Sequence, residues 1–158
     1  MKLIDVLKPE YIKIPLTGDS KEAVIKELIS TLAPFRLFGD QDKVFQAVMD
    51  REKIMTTGVG RGVAIPHCKK EVCQKFGIAM GIHPEGVDFQ SIDGKPARII
   101  FLLVGPENNP GMHIRLLSRI SRLISKESLR DHLLQCHSAE EAYELLKAEE
   151  EKYFEIAS

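Results

Sequence analysis

The chain has no tryptophan, few aromatic residues and almost no net charge. Phenylalanine, tyrosine and tryptophan together make up 6% of its 158 residues. Lysine and arginine number 22 against 23 acidic residues, and the formal net charge of -1 gives no bulk attraction to nucleic acid or to an anionic membrane. We therefore expect no nucleic-acid partner, and any partner must be recognised by a local surface.

Long apolar runs and export signals are also missing. No stretch approaches the length of a membrane-spanning helix, and the first residues place Asp5 inside an apolar segment without a small-residue cleavage site. The three cysteines, Cys68, Cys73 and Cys136, are an odd number and favour reduced thiols over a structural disulfide. These absences predict a cytoplasmic protein that does not insert into a membrane.

What the chain does contain is enough apolar material, 44% of its residues, for one domain over residues 1–158. Helical spacing follows an expected N-cap at Asp19 and another at Asp40, and the later third of the chain is also helical. The apolar runs Phe76–Ile82 and Ala97–Val104 are typical of strands, and their connection is too short for a crossover helix. The pattern predicts a three-layer α/β/α sandwich with a central mixed β-sheet flanked by helices.

The most informative segment runs from Gly58 to His67, with glycine at alternate positions 58, 60 and 62 and an apolar run that ends in Pro66-His67. Alternate glycines allow positive φ angles and expose successive N–H groups, which suits a phosphate. An ordinary strand connection has the same composition, so both interpretations stand on these residues alone.

A second histidine, His113, falls in the first turn of a predicted helix that Asn109 caps and Pro110 opens. It shares a helical face with Leu117 and Ile120, so it should point toward the sheet. An inward histidine often only donates to a backbone carbonyl, but near a helix N-terminus it can also serve a phosphoryl group. Together with His67 it would provide a nucleophile for phosphorus and a neighbour that hydrogen-bonds the transferred group.

These motifs resemble the enzyme IIA domain of the fructose, mannitol and nitrogen-regulatory class of the bacterial phosphoenolpyruvate-dependent phosphotransferase system. The resemblance covers essentially the whole chain. It rests on the pair Arg51-Glu52, on Thr57-Gly58, on the segment from Gly60 to His67, and on His113 followed by Leu116 and Leu117.

The resemblance implies that His67 accepts a phosphoryl group on Nε2, that His113 stabilises the phosphohistidine and that Arg51 neutralises charge. It implies no cofactor and no metal for the transfer. From the glycine spacing we also expect a phosphate-binding loop made of Thr57, Gly58, Gly60 and Gly62.

The resemblance implies a phosphotransferase that takes its phosphoryl group from a histidine-phosphorylated carrier protein. The acceptor then distinguishes two branches. A nitrogen-regulatory protein acts through binding to regulatory targets, whereas a sugar-specific component donates to a cysteine of a IIB domain. We favour the regulatory branch because no IIB or membrane domain is attached in this chain.

A different class of function is a zinc-binding module that uses His67, Cys68, Cys73 and His113. The spacing argues against it, because no Cys-x-x-Cys pair is present and adjacent residues of an extended chain point apart.

Charged residues of the C-terminal half have simpler interpretations. A basic stripe on one helix would be a solvated face or a docking surface for an acidic partner, and it comprises Arg115, Arg119, Arg122, Lys126 and Arg130. The run Glu149–Glu151 is expected to be a solvated helix end. We assign no role to His83, His132 and His137, which we expect at the surface.

Overall fold

The computed structural model describes residues 1–155, and in this range one mixed sheet of six strands lies between helices on both faces. The strands are β1 (Ile12–Lys13), β2 (Gly58–Gly60), β3 (Val63–Ala64), β4 (His67–Lys69), β5 (Gly77–Val87) and β6 (Ala97–Gly105). The helices are α1 (Lys21–Leu32), α2 (Gln41–Ile54), α3 (Pro110–Ile124), α4 (Glu127–Leu134) and α5 (Ala139–Glu155). The predicted fold class is confirmed.

Strand β6 lies in the middle of the sheet, as its continuous apolar sequence predicts. The strand order is β1-β5-β6-β3-β2, and β4 also pairs with β6. The pairs β1 with β5, β3 with β6 and β4 with β6 are parallel, whereas β5 with β6 and β2 with β3 are antiparallel. The antiparallel β5–β6 pair is the one that its short connection requires.

Two separate apolar cores cover the two faces of the sheet. Side chains that alternate along β6 divide between them, with Ile100 and Leu102 in one core and Phe101 and Leu103 in the other. Helices α1 and α2 close the first core, and α3, α4 and α5 close the second, together with the N-terminal turn at Leu3. This division separates the elements that flank the site into two layers.

Helix caps explain most of the helix starts. Asp40 caps α2 by accepting from the backbone N–H groups of Asp42 at 3.0 Å and Lys43 at 3.2 Å. The prediction of Asp19 as the cap of α1 is wrong, because Ser20 occupies that position and its hydroxyl accepts from the Ala23 N–H at 3.1 Å. Either residue type suits an N-cap, so the sequence alone does not choose between neighbours.

The acidic run near the C-terminus is not simply solvated. Glu150 is 2% exposed, and its carboxylate accepts from the backbone N–H of Leu3 at 2.7 Å and of Ile4 at 3.3 Å. It also pairs with Arg119 at 3.6 Å. The carboxylate therefore ties α5 to the N-terminal turn and to α3.

The predicted basic stripe is interrupted, because two of its cations are engaged by other groups of the C-terminal half. Lys126 lies beyond the end of α3 and pairs with Glu149 at 3.1 Å. Arg130 lies on α4 and donates to the carbonyl oxygens of Ile124 and Ser125 at 2.8 and 2.9 Å. These cations hold helix ends together and do not form one continuous docking face. No helix within residues 1–155 is long and apolar enough to cross a membrane.

His83 is another residue that the sequence misplaced. It is buried on β5, where Nε2 lies 2.8 Å from the carbonyl oxygen of Gly18 and Nδ1 accepts from the Gly86 N–H at 2.9 Å. The ring therefore links the segment before α1 to the bend in β5. Its role is structural, and the expectation of a surface histidine is wrong.

Candidate functional site

His67 is held by the central strand of the sheet. Strands β3 and β4 pair with β6 in one unchanged register, Val63 opposite Ile99 and His67 opposite Leu103, so they form one line interrupted at residues 65 and 66. Pro66 has no N–H to donate at the interruption, but its carbonyl accepts from Leu103 N–H at 3.1 Å. The imidazole therefore projects from the first residue after the break.

The hydrogen bond that His67 makes fixes which nitrogen is reactive. Nδ1 lies 2.7 Å from the carbonyl oxygen of Ile65, so Nδ1 carries the proton and donates it there. Nε2 then has the free lone pair, and it has no hydrogen-bonding partner within residues 1–155. Burial is the main cause that lowers the pKa of His67, opposed by the bond to Ile65 and reinforced by Arg51. The ring is therefore neutral and nucleophilic near pH 7.

His113 faces His67 from the first turn of α3. Asn109 caps this helix through a bond from Met112 N–H at 3.3 Å, as predicted, and the two imidazole centroids lie 5.6 Å apart. His113 is only 4% exposed, and neither of its ring nitrogens has a hydrogen-bond partner within the described chain. Burial, the charge of His67 and Lys69 lower its pKa to about 4. Buried polar groups are almost always paired. The missing partner of this ring is therefore expected to be a group that binds in the site.

An open cavity of about 400 Å³ contains both imidazoles. Its other lining residues come from α2, from β4 and the turn after it, and from α3: Ala47, Asp50, Arg51, Ile54, Cys68, Lys69, Lys70, Ile114 and Leu117. Arg51, in the last turn of α2, is anchored by a hydrogen bond from Nη1 to the Met55 carbonyl at 3.0 Å. Arg51 and Lys69 lower the pKa of His67, so their positive charges act on the ring that would carry a phosphoryl group.

The glycine-rich loop lies elsewhere. Thr57, Gly58, Gly60 and Gly62 are not among the residues that line this cavity. Gly60 pairs with Val63 at the far end of the strand line, whereas the Thr57 carbonyl accepts from the Ile65 N–H at 3.0 Å, next to His67. Gly60 and Gly62 have φ angles of 91° and 77°. Glycine is therefore needed at these two positions for the conformation of the turn itself. The backbone N–H of Gly58 donates to the Thr56 hydroxyl at 3.0 Å. The structure thus places the turn at Gly60 and Gly62 away from the two histidines, whereas Thr57 lies close to His67.

A buried polar cluster next to Arg51 was not foreseen from the sequence. The Glu52 carboxylate pairs with Lys21 Nζ at 2.9 Å and accepts from both the N–H, at 3.1 Å, and the hydroxyl of Thr57. Lys21 also donates to Gln90 Oε1 at 3.2 Å. The cluster joins α1 and α2 to the segment just before β2. Nothing in the sequence indicated it, because a lysine in the first turn of an amphipathic helix is usually exposed.

The two cysteines near His67 are buried. Cys68 and Cys73 are buried free thiols in the core under α1 and α2. Donation of a hydrogen bond to Cys73, together with burial, raises the pKa of Cys68, so its thiol stays protonated. Within the described part of the chain, no group of three or more histidine, cysteine or acidic side chains is arranged to hold a metal ion.

Taken together, the cavity presents one neutral imidazole with a free Nε2, a second neutral imidazole without a partner, and cationic side chains at its rim. A neutral imidazole is a competent nucleophile, and the surrounding donors can stabilise charge that develops on an incoming group. The arrangement suits transfer of an anionic group to nitrogen.

Comparison with known proteins points the same way. The family model described as "Phosphoenolpyruvate-dependent sugar phosphotransferase system, EIIA 2" matches residues 5–149. The nitrogen regulatory protein of Bradyrhizobium diazoefficiens is 36% identical over 148 residues, which cover 92% of this chain and 95% of that protein. The fructose-specific EIIABC component of Bacillus subtilis is 33% identical over 146 residues, 92% of this chain but only 23% of that much longer protein.

Solved structures agree with these relatives. The crystal structure of nitrogen regulatory protein IIA-Ntr from Neisseria meningitidis superposes with a TM-score of 0.83 at 34% identity. The superposition covers 90% of this chain and 97% of that one. The similarity therefore extends over both layers of helices and the sheet between them.

Proposed function

Because the chain belongs to the EIIA 2 family of the phosphoenolpyruvate-dependent sugar phosphotransferase system, we propose that it is a histidine phosphocarrier whose acceptor atom is Nε2 of His67. The observation that carries the assignment is the hydrogen bond from His67 Nδ1 to the Ile65 carbonyl at 2.7 Å, which leaves Nε2 unprotonated at the cavity. The phosphoryl donor is a phosphohistidine of a small carrier protein.

In the proposed transfer, the Nε2 lone pair of His67 attacks phosphorus while the P–N bond to the donor histidine breaks. The donor nitrogen keeps the electron pair of that bond, and the proton on Nδ1 of His67 stays there, donated in a hydrogen bond to the Ile65 carbonyl oxygen. His113 contacts the phosphoryl group from across the cavity, and Arg51 opposes its negative charge. Because the transition state is loose, positioning and charge supply most of the rate enhancement. No metal or cofactor takes part in the proposed transfer. The turn at Gly60 and Gly62 does not contact the phosphoryl group in it.

The experiment is incubation with phosphoenolpyruvate, the first enzyme of the pathway and the carrier protein, followed by intact-mass measurement before and after mild acid. Wild type should gain one acid-labile phosphoryl group. His67→Ala should gain none, and the exposed histidine variant His137→Ala should behave as wild type. Phosphorylation of His67→Ala, or none of wild type, would refute the assignment.

We further propose that the protein belongs to the nitrogen-regulatory branch, so that the phosphorylation state of His67 controls binding to regulatory targets in the cytoplasm. Two similarities support this: a nitrogen regulatory protein of nearly the same length and the IIA-Ntr structure are each matched over at least nine-tenths of both chains. The second candidate is a sugar-specific component that donates to a IIB cysteine, which the 33% identity to a fructose-specific protein favours.

The two branches differ in where the phosphoryl group goes. Phosphorylated protein is mixed with purified fructose-type and mannitol-type IIB domains, and loss of label from His67 is followed with time. A sugar-specific IIA protein is run in parallel as the reference. If the protein belongs to the regulatory branch, the label should stay on His67 over a time in which the reference protein completes many transfers. Complete transfer at the rate of that protein would establish the sugar branch.

A further inference from the structure

The side chain that the structure leaves least satisfied is His113. Its ring is 4% exposed, yet neither Nδ1 nor Nε2 meets a donor or acceptor within residues 1–155. The nearest rings are His67, with its centroid 5.6 Å away, and Phe76 at 6.5 Å. Burying unpaired polar atoms is unfavourable. If this ring served only to fill space, a phenylalanine side chain would give a more stable fold.

The charges around His113 explain why it is neutral before phosphorylation. His67 and Lys69 on β4 both disfavour a second positive charge, and burial removes the solvent that would stabilise it. From α2, Arg51 and Asp50 line the same cavity. The further lysine, Lys70, follows β4.

Other elements packed on α3 do not offset these cations at His113. The carboxylate of Glu150 on α5 meets Arg119, two turns further along α3. Asp5 in the N-terminal turn accepts from its own neighbour Lys2 N–H at 2.8 Å. Glu107, in the loop before α3, is exposed to solvent. Among the residues that the structure describes, Asp50 is therefore the single carboxylate that lines the cavity with His113.

We propose that phosphorylation of His67 is coupled to the uptake of one proton from solvent by His113, which then holds the phosphoryl group as an imidazolium cation. This inference rests on the proposed function and concerns the same site. In the transfer itself the P–N bond of the donor breaks and the P–N bond to His67 Nε2 forms. The proton comes from water and binds a ring nitrogen of His113, so no oxidant, reductant or further reactant is required.

Placement of the phosphoryl group reverses the electrostatics of the cavity. The oxygens of a phosphoryl group carry about -1.5 to -2 charges near pH 7. Because His67 keeps its Nδ1 proton, its phosphorylated ring is formally cationic, so the negative charge of the phosphorylated side chain is concentrated on the oxygens that face His113. Attached to Nε2 of His67, it would extend into the gap of 5.6 Å between ring centroids and offer oxygens as acceptors. A single opposite charge within 4–6 Å typically raises a histidine pKa by about one to three. His113 then gains both a counter-charge and the hydrogen-bond partner that it lacks.

Coupling of this kind makes the phosphoryl equilibrium depend on pH. Between the pKa of His113 without the phosphoryl group and its pKa with it, the phosphorylated protein binds one more proton than the free protein. By linkage, each fall of one pH unit in that window shifts the exchange up to about tenfold toward the phosphorylated form. Acidification would thus retain phosphate on this protein.

The test is an NMR titration of the full-length chain labelled with 15N-histidine, from pH 8 down to pH 5, before and after enzymatic phosphorylation. His113→Gln identifies the His113 signals. Intact mass is measured first on every sample, so that absence of a phosphoryl group on His67 counts against the proposed function and not against the coupling. We expect the His113 ring nitrogens to stay neutral down to pH 5 in the free protein, whose His113 pKa is about 4, and to become protonated within the titrated range in the phosphorylated sample, because the pKa rises by about one to three units.

A second measurement follows the exchange equilibrium with the donor carrier between pH 5 and pH 7. His113→Gln keeps an amide that donates to phosphate but cannot take up a proton, so its equilibrium should lose part of the pH dependence of wild type. The exposed-histidine control His137→Gln should retain the full dependence. A His113 ring that stays neutral down to pH 5 in the phosphorylated protein, together with an unchanged pH dependence in His113→Gln, would overturn the coupling.

Discussion

Arg51 and Glu52 are neighbours in the sequence, yet they belong to two buried polar regions of opposite character. The carboxylate of Glu52 is fully partnered by Lys21 and Thr57, whereas Arg51 lines a cavity in which neither ring nitrogen of His113 has a hydrogen-bond partner within residues 1–155. A satisfied network stabilises one arrangement of α1, α2 and β2. An unsatisfied one is held ready for a ligand, and the rest of the fold offsets its cost.

The largest effect on folding should come from the partnered region. Glu52→Ala leaves the Lys21 ammonium buried without a counter-charge, so the free energy of unfolding should fall by about 3–5 kcal/mol. Urea denaturation measures it. The double variant Lys21→Met with Glu52→Leu removes both charges and should recover a large part of the loss. A double variant as unstable as Glu52→Ala would show that lost hydrogen bonds to Thr57, and not the unpaired charge, dominate.

A change at Arg51, the residue before Glu52, should affect the rate of phosphoryl transfer and not the stability of the fold. Arg51→Ala should slow phosphoryl transfer on the order of 10²–10³-fold, because a cation that opposes the developing charge is removed. Unfolding by urea should change little. Arg122→Ala, which removes the same charge from an exposed position on α3, is the matched control for rapid-quench kinetics. Equal rates for Arg51→Ala and Arg122→Ala would remove Arg51 from the site.

Acid should destabilise the folded protein through the cavity that holds the two histidines. The pKa of His113 is about 4 in the folded protein against 6.5 as its ordinary value, so between these pH values the unfolded chain binds more protons. Stability therefore falls as pH falls through this window, by about 3 kcal/mol at about 1.4 kcal/mol per pH unit. His67 acts in the same direction. Urea midpoints of wild type and His113→Gln from pH 7 to pH 4 measure the difference, and parallel curves would contradict it.

The smallest effect tests the loop that the sequence assigned to phosphate. Gly62→Ala forces a residue with a Cβ to adopt a φ of 77°, which should cost about 1–2 kcal/mol of stability. Space is not the obstacle, since the added Cβ would meet only the Pro96 carbonyl at 3.9 Å. Phosphoryl acceptance measured by mass should remain normal. A loss of acceptance without unfolding would return this loop to the site.

The sequence predicted those parts of the site that depend on local pattern. The cap at Asn109 and the helical face of His113 follow from spacing within a few residues, and the structure confirms both. The uninterrupted apolar run of β6 likewise indicates its central position.

What the sequence could not predict depends on contacts between distant residues. The partners of Glu52 and Glu150 come from elements far away in the chain, so a buried carboxylate looked like any solvated one. The glycine loop poses a different problem for prediction. Its conformation serves a turn, and nothing in its spacing says how far that turn lies from His67.

The line of β3 and β4 along β6 has a consequence for how such a protein can vary. The position of His67 is fixed by its pairing with Leu103 of β6 and by the hydrogen bond to the Ile65 carbonyl. All of these residues follow the turn at residues 60–62 in the chain. Residues could be inserted at that turn without displacing the reactive nitrogen. The end of the strand line at the turn can therefore vary in length while the end that holds His67 keeps its chemistry.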